Sequence, residues 1–221
     1  MIHIVRRLRY LNLRTVVFNF YYFPPRIACK LPVLISRNVK FIALRGKVCL
    51  SVPPRMGMVK LGYHRVGIFD YRNEKFLWQV KGTIKFGENV DIGQGCRISV
   101  NEGAELNIDD GVKITANSNI IASHKISIGR DSLISWDCNL MDTDFHSIVD
   151  CQGILINPNK PIKIGPRNWI CSNVNVFKGV HSNEGVIFAS RSNVMTGQYN
   201  SHTLYGGNPA KLLRCNIDWE H

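Results

Sequence analysis

The sequence has seven cysteines but no C-x-x-C pair: Cys29, Cys49, Cys96, Cys138, Cys151, Cys171 and Cys215 stand singly. An odd, unpatterned set argues against a disulfide framework and a structural zinc site, and reads as reduced thiols in a cytoplasmic setting. No uninterrupted apolar run of membrane-spanning length occurs, and Arg6, Arg7, Arg9 and Arg14 break up the first apolar residues. Neither a secretory leader nor a transmembrane helix is therefore expected. Acid is scarce at one end. Residues 1–86 hold 17 Lys+Arg against 2 Asp+Glu, the remainder 11 against 14, so the net charge of +12 belongs to the N-terminal part. Only that part invites an anionic partner.

What is present suits one folded domain, or one with an appendage. The chain has 221 residues, 45% of them hydrophobic and 20% charged, enough to bury a proper core. Its opening stretch, "IHIVRRLRYLNLRTVVFNFYYF", mixes arginines with large apolar and aromatic side chains. Two readings stay open: a terminal helix packed on the domain, which is favoured, and a segment lying on an anionic membrane surface. Nucleic acid is a weaker reading, because nothing beyond charge resembles a binding module.

From residue 84 onward a six-residue period replaces any helical one. Ile84, Val90, Cys96, Ile108, Ile114, Ile120 and Ile126 follow it, with a polar default at Glu102; Ile164, Ile170, Val176, Phe188 and Val194 resume it, with a lapse at Ser182. Six residues are one and two-thirds helical turns and would smear apolar positions around the axis. They do suit a short strand plus a tight turn, three of which close a triangular coil of about 18 residues. The fold expected is all-β, a parallel β-helix of hexapeptide repeats over 83–199. A basic segment of degenerate early coils or cap (1–82) precedes it, and a turn and capping tail (200–221) containing a short helix follows. A loop expected over 138–163 interrupts the period. It carries "MDTDFHSIVD", with Asp142, Asp144 and the loop's only histidine, His146.

"IGPRNWICSNVNVFKGV" (164–180) and "GGNPAKLLR" (206–214), with that loop, resemble the hexapeptide-repeat acyltransferases, left-handed β-helix enzymes that include maltose, galactoside, serine and xenobiotic acetyltransferases. "SWDCNLMDTDFH" looks like a branch associated with bacterial surface polysaccharide modification. The resemblance covers roughly residues 83–214. It implies a homotrimer, acyl-CoA in a groove between adjacent β-helices, and a loop histidine as general base. That base would be His146, with Asp144 or Asp142 fixing its tautomer; an imidazole titrates near neutrality and can accept the proton of an attacking hydroxyl. The resemblance carries Trp169, Ser172 and Ser190 onto the groove wall and Lys211 and Arg214 to the CoA phosphates, where lysine and arginine supply charge and donors. Trp136, just before the loop, offers a flat wall for a sugar ring, against the alternative of a corner tryptophan covering the core edge. Cys171 and Arg191 depart from the pattern, standing where glycine is common.

The implied function is transfer of acetyl from acetyl-CoA to a saccharide hydroxyl, without a metal. Three alternatives remain. A sugar N-acyltransferase would look the same in sequence. A gamma-type carbonic anhydrase would need three histidines on zinc, for which His124, His146 and His181 are available but the closely paired histidines are missing. A non-catalytic scaffold has no need of a loop holding Asp, Asp and His.

Overall fold

The computed structural model describes residues 12–220. Arg6, Arg7 and Arg9, and the first half of the segment read as terminal helix or membrane contact, lie outside the described residues.

The residues on the six-residue period turn inward: Ile84, Val90, Cys96, Ile108, Ile114, Ile120, Ile126, Ile164, Ile170, Val176, Phe188 and Val194 are each at most 2% exposed. They line a three-sided prism whose faces are parallel sheets. The first face stacks Val33–Ile35, Val59–Leu61, Val90–Ile92, Lys113–Ile114, Leu133–Ile134, Trp169–Ile170, Ile187–Phe188 and Thr203–Gly207. The second runs from Val39–Leu44 to Asn193–Val194, and the third from Lys47–Leu50 to Gly197–Tyr199, with seven strands each. Each coil thus supplies one strand per face, and its backbone groups pair with the coils above and below. Ile92, Ile114, Ile134, Ile170 and Phe188 form one such column.

Both defaults have physical causes. Glu102 falls in an exposed corner turn closed by the Ala104 N–H on the Asn101 carbonyl, 3.0 Å. Ser182 does face inward, 3% exposed, and its hydroxyl accepts from the Gly165 N–H. A polar group survives in the core because it is satisfied.

The coils begin earlier than the period. Val33 pairs with Val59, Val39 with Phe76 and Lys47 with Thr83. Long corner segments over 51–58 and 62–75 break the residue count there and leave the inward side chains in place. The loop emerges later than the period's gap: Cys138 and Leu140 are fully buried, and Asn139–Met141 pairs with strands on both sides. The excursion runs from Asp142 to Pro161, and the coil resumes at Ile162–Ile164.

The C-terminal helix expected within "NPAKLLRCNIDWEH" is not formed. Ala210–Cys215 is a strand, antiparallel to Thr203–Gly207. The last coil would end in a row of unpaired N–H and C=O groups, and a returning strand satisfies them backbone to backbone. Gly207, at φ 105, helps turn the chain back.

The opposite end is closed by side chains. Helix α1 (Leu13–Tyr22) is N-capped by Asn12, which accepts from the Thr15 N–H. It lies across Val33–Ile35 and replaces the missing coil. Asn19 donates to the Val33 carbonyl (2.7 Å) and accepts from its N–H (3.2 Å), while Thr15 Oγ1 does the same at Ile35. Phe18 plugs the core, edge-on to Trp78 at 5.1 Å. A short helix, α2 (Pro25–Ala28), leads into the first coil.

Candidate active site

The loop is held at its root by Asp142. Its buried carboxylate accepts from the backbone N–H groups of Ser123 (2.7 Å) and His124 (3.0 Å) on the coil below. Phe145 follows in the left-handed region, φ 60, its N–H bound by Thr143 Oγ1. His146 is then fixed through its backbone: its N–H meets the Asp144 carbonyl (2.7 Å), and its carbonyl accepts from Asn157 Nδ2 (2.9 Å). Asn157 also donates to Asp144 Oδ2 (2.8 Å) and accepts from the Ile148 N–H. Lys178, reaching from the next coil, donates to Asp144 Oδ2 (2.5 Å) and to the Asn157 carbonyl (2.7 Å). Hydrogen bonds from the Lys178 ammonium and then from Asn157 hold the Asp144 carboxyl below the usual range.

Neither aspartate accepts a bond from the His146 ring. Asp142 secures the loop root, and Asp144 is spent on Lys178 and Asn157. Sequence reasoning missed both Asn157 and Lys178, since neither lies near His146 along the chain and no local pattern marks them. The exposed ring borders a depression of about 210 Å³ with Thr143, Phe145, Leu155 and Asn157. Around it the loop presents Phe145, Ile148, Val149, Ile154, Leu155 and Ile156 to solvent.

The residues assigned to the acyl donor lie elsewhere. Ser172 and Ser190 stand one coil apart at the corner between the first and second faces, with their hydroxyl oxygens 3.3 Å apart. Trp136 is half-buried at the same corner, one coil below Ser172, and its carbonyl accepts from the Asn173 N–H. The His146 loop leaves from the corner between the second and third faces. In a single chain the full width of the second face therefore separates His146 from Trp136, Ser172 and Ser190.

Burial pushes the Cys171 thiol up to about 11, against a hydrogen bond from Ser190, and the Cys138 thiol up to about 12. Thiols this weakly acidic are poor nucleophiles at neutral pH. Arg191, beside Ser190, takes φ 62, which explains why glycine suits that position.

Trp169, on the first face, donates from its indole N–H to Ser135 Oγ (3.2 Å), and Trp219 of the tail packs on it at 5.8 Å. The Trp219 indole N–H donates to the Arg167 carbonyl (2.7 Å), and Asp218 takes the Arg167 guanidinium at 3.0 Å. The tail thus straps down the first face. Asn168 of the N-x-W-I segment is buried, its amide shared among the carbonyls of Gly165, Pro166 and Asn183. Lys211 and Arg214 are exposed on the returning strand, Lys211 opposite Gly206 and Arg214 opposite Leu204. Among the described residues, no three His, Cys, Asp or Glu side chains group as metal ligands.

A triangular parallel β-helix interrupted by one histidine-bearing loop is the build of hexapeptide-repeat transferases. No family model matches the chain. Curated relatives do. A protein of Escherichia coli strain K12 named as a lipopolysaccharide biosynthesis O-acetyl transferase, WbbJ, is 29% identical over 143 residues, covering 60% of this chain and 72% of its own. One named as a colanic acid biosynthesis acetyltransferase, WcaF, from the same strain, is 30% identical over 150 residues, covering 68% of this chain and 79% of its own. The crystal structure of the polySia specific acetyltransferase NeuO shares the fold, with a TM-score of 0.52 at 23% identity over 86% of this chain and 79% of that one. The chain belongs to the hexapeptide-repeat acetyltransferase family.

Proposed function

We propose that the protein transfers an acetyl group from acetyl-CoA to a hydroxyl of a saccharide in surface polysaccharide biosynthesis, with His146 as general base. The observation that carries this reading is the loop: its only histidine is pinned by backbone bonds on both sides, with its ring left free at the mouth of a depression. The attacking hydroxyl passes its proton to the imidazole as its oxygen bonds to the thioester carbonyl carbon. The carbonyl oxygen becomes an oxyanion, which backbone N–H groups of a neighbouring coil stabilise. Collapse breaks the carbon–sulfur bond, and the imidazolium returns the proton to the departing thiolate. No covalent acyl-enzyme is required, in keeping with the weakly acidic cysteines.

Asp142 and Asp144 serve this reaction as positioning residues, through the loop root and through Asn157. Ser172, Ser190 and Trp169 line the pantetheine path, Lys211 and Arg214 meet the CoA phosphates, and Trp136 faces the sugar. Because His146 and the corner holding Trp136, Ser172 and Ser190 occupy opposite edges of the second face, the site is completed by a second copy set beside the first, as a homotrimer would provide. The apolar loop surface around His146 supports that arrangement, since a cluster of exposed large side chains calls for cover. A lipid-linked acceptor at an anionic membrane is part of the same reading.

The test is thiol release from acetyl-CoA with a panel of nucleotide- and lipid-linked sugars, including amino sugars, run beside His146→Ala. Turnover is expected on a hydroxyl acceptor and is expected to fall by about 10²-fold or more in the variant. Retained turnover would place the base elsewhere, and exclusive use of amino sugars would make the protein an N-acyltransferase.

A further inference from the structure

Helix α1 is buried on one side and apolar on the other. Its inward residues Thr15, Phe18 and Asn19 close the coil stack, while Leu13, Val16, Val17, Phe20 and Tyr21 are 40–77% exposed. Those five recur at the helical repeat and form one continuous stripe. A helix that merely capped the fold would carry polar residues there. Ile42, 48% exposed on the first strand of the second face, adds to the apolar surface at this end.

The chain around the stripe is basic, and among the described residues Arg55 alone of its cations is ion-paired, to Glu88. Residues 12–69 contain ten Lys and Arg and no Asp or Glu. Arg14, on the helix itself, bonds the Val39 carbonyl and lies over the Phe41 ring at 5.9 Å. Lys47 borders the same depression as Tyr21, and Tyr22 bonds the Arg45 carbonyl at 3.2 Å. Arg26, Lys30, Arg37 and Lys40 are also exposed within this span.

We infer that α1 and the first coil form an end-on docking surface for a bilayer rich in anionic lipid. An apolar stripe flanked by cations fits an interface that offers negative headgroups above a hydrocarbon layer. A second copy meeting this surface face to face would set two predominantly cationic ends against each other. A nucleic acid would satisfy the cations but leave the stripe exposed to water. Only the bilayer answers both features. In a homotrimer with its axis along the coils, three such stripes would face the same way and engage together. The link to a lipid-linked acceptor rests on the acetyl transfer proposed above; the docking surface does not.

The full chain is mixed with phosphatidylcholine vesicles, with and without about one-third phosphatidylglycerol, and sedimented. We expect partition onto the anionic vesicles alone, weakened by added salt. Val17→Glu with Phe20→Glu is expected to lower that partition about tenfold or more, leaving size-exclusion elution and acetyl transfer to a soluble saccharide unchanged. Phe20→Trp, which preserves the apolar face, is expected to bind as the native chain does and to shift its fluorescence to the blue on vesicles. Wild-type indifference to anionic vesicles, or full binding by the double variant, overturns the inference. A change of oligomeric state in the double variant would assign the stripe to another copy, and preference for a DNA duplex over vesicles would assign the cations to nucleic acid. Partition is read without substrate, so its failure is distinguishable from failure of the acetyl-transfer reading.

Discussion

The two ends of the prism solve one problem differently. Each presents a coil whose outer edge lacks a neighbour, and each packs aromatic rings over the open core: Phe18, Trp78 and Phe86 at the start, Phe188, Tyr199 and Tyr205 at the finish. At the finish a returning strand pairs with the edge. At the start a helix does the pairing with Asn19 and Thr15 side chains, and its far side is left apolar. One end terminates the fold; the other is also dressed as a surface. Any helix able to offer an amide and a hydroxyl at the right spacing can cap a strand edge, so its outer face is free to take another task.

The comparison sharpens first on stability. If both aromatic plugs are true core, Phe18→Ala and Phe188→Ala should each cost about 3–5 kcal/mol in denaturant unfolding. A much smaller loss at Phe18 alone would make α1 an ornament instead of a cap. Between the ends, Asp142→Ala strands the Ser123 and His124 N–H groups and should cost about 2–3 kcal/mol, with turnover falling as the loop root loosens. Next comes the pH dependence of the loop. The Asp144 carboxyl is depressed in the fold by Lys178 and Asn157. Its contribution is therefore complete above the ordinary carboxylate pKa and is lost as pH falls through the lowered folded value. Hydrogen-exchange protection over residues 146–157 should accordingly fall in acid, and Lys178→Met should weaken that dependence, leaving the part held by Asn157. The smallest effect is expected at Arg191→Gly, where relief of a left-handed arginine should add about 1 kcal/mol or less to stability.

How much of this was readable in the residues follows from how local each constraint is. Inward positions from Ile84 to Val194 announced themselves because a coil with short corners returns the chain to the same column at a fixed count. The same columns below Thr83 were hidden, since the corner segments over 51–58 and 62–75 are long, and the count fails where the packing does not. The strand Ala210–Cys215 was misread as a helix because "AKLLRC" has helical composition, and the demand for an edge partner comes from another part of the chain. At the site, His146 was visible as the sole histidine of an interruption. The commitments of Asp142 and Asp144 were not: their partners, Ser123, His124, Asn157 and Lys178, are gathered from three coils. Trp169 and Trp219 meet only because the tail crosses the first face.

Stacking also sets an altitude. The strand that launches the histidine loop, Asn139–Met141, is the fifth in its sheet, four steps from Val39–Leu44. At about 4.8 Å per step the loop's root stands roughly 19 Å above the lowest strand, and a helix thickness of about 10 Å lies beneath that. With α1 seated in the headgroup layer of a bilayer, the loop's root would stand about 20 Å above that layer, so a glycan growing from a lipid anchor would be modified on its outer units and not beside its stem. Removing one whole coil below the loop would lower that working height by a single strand spacing.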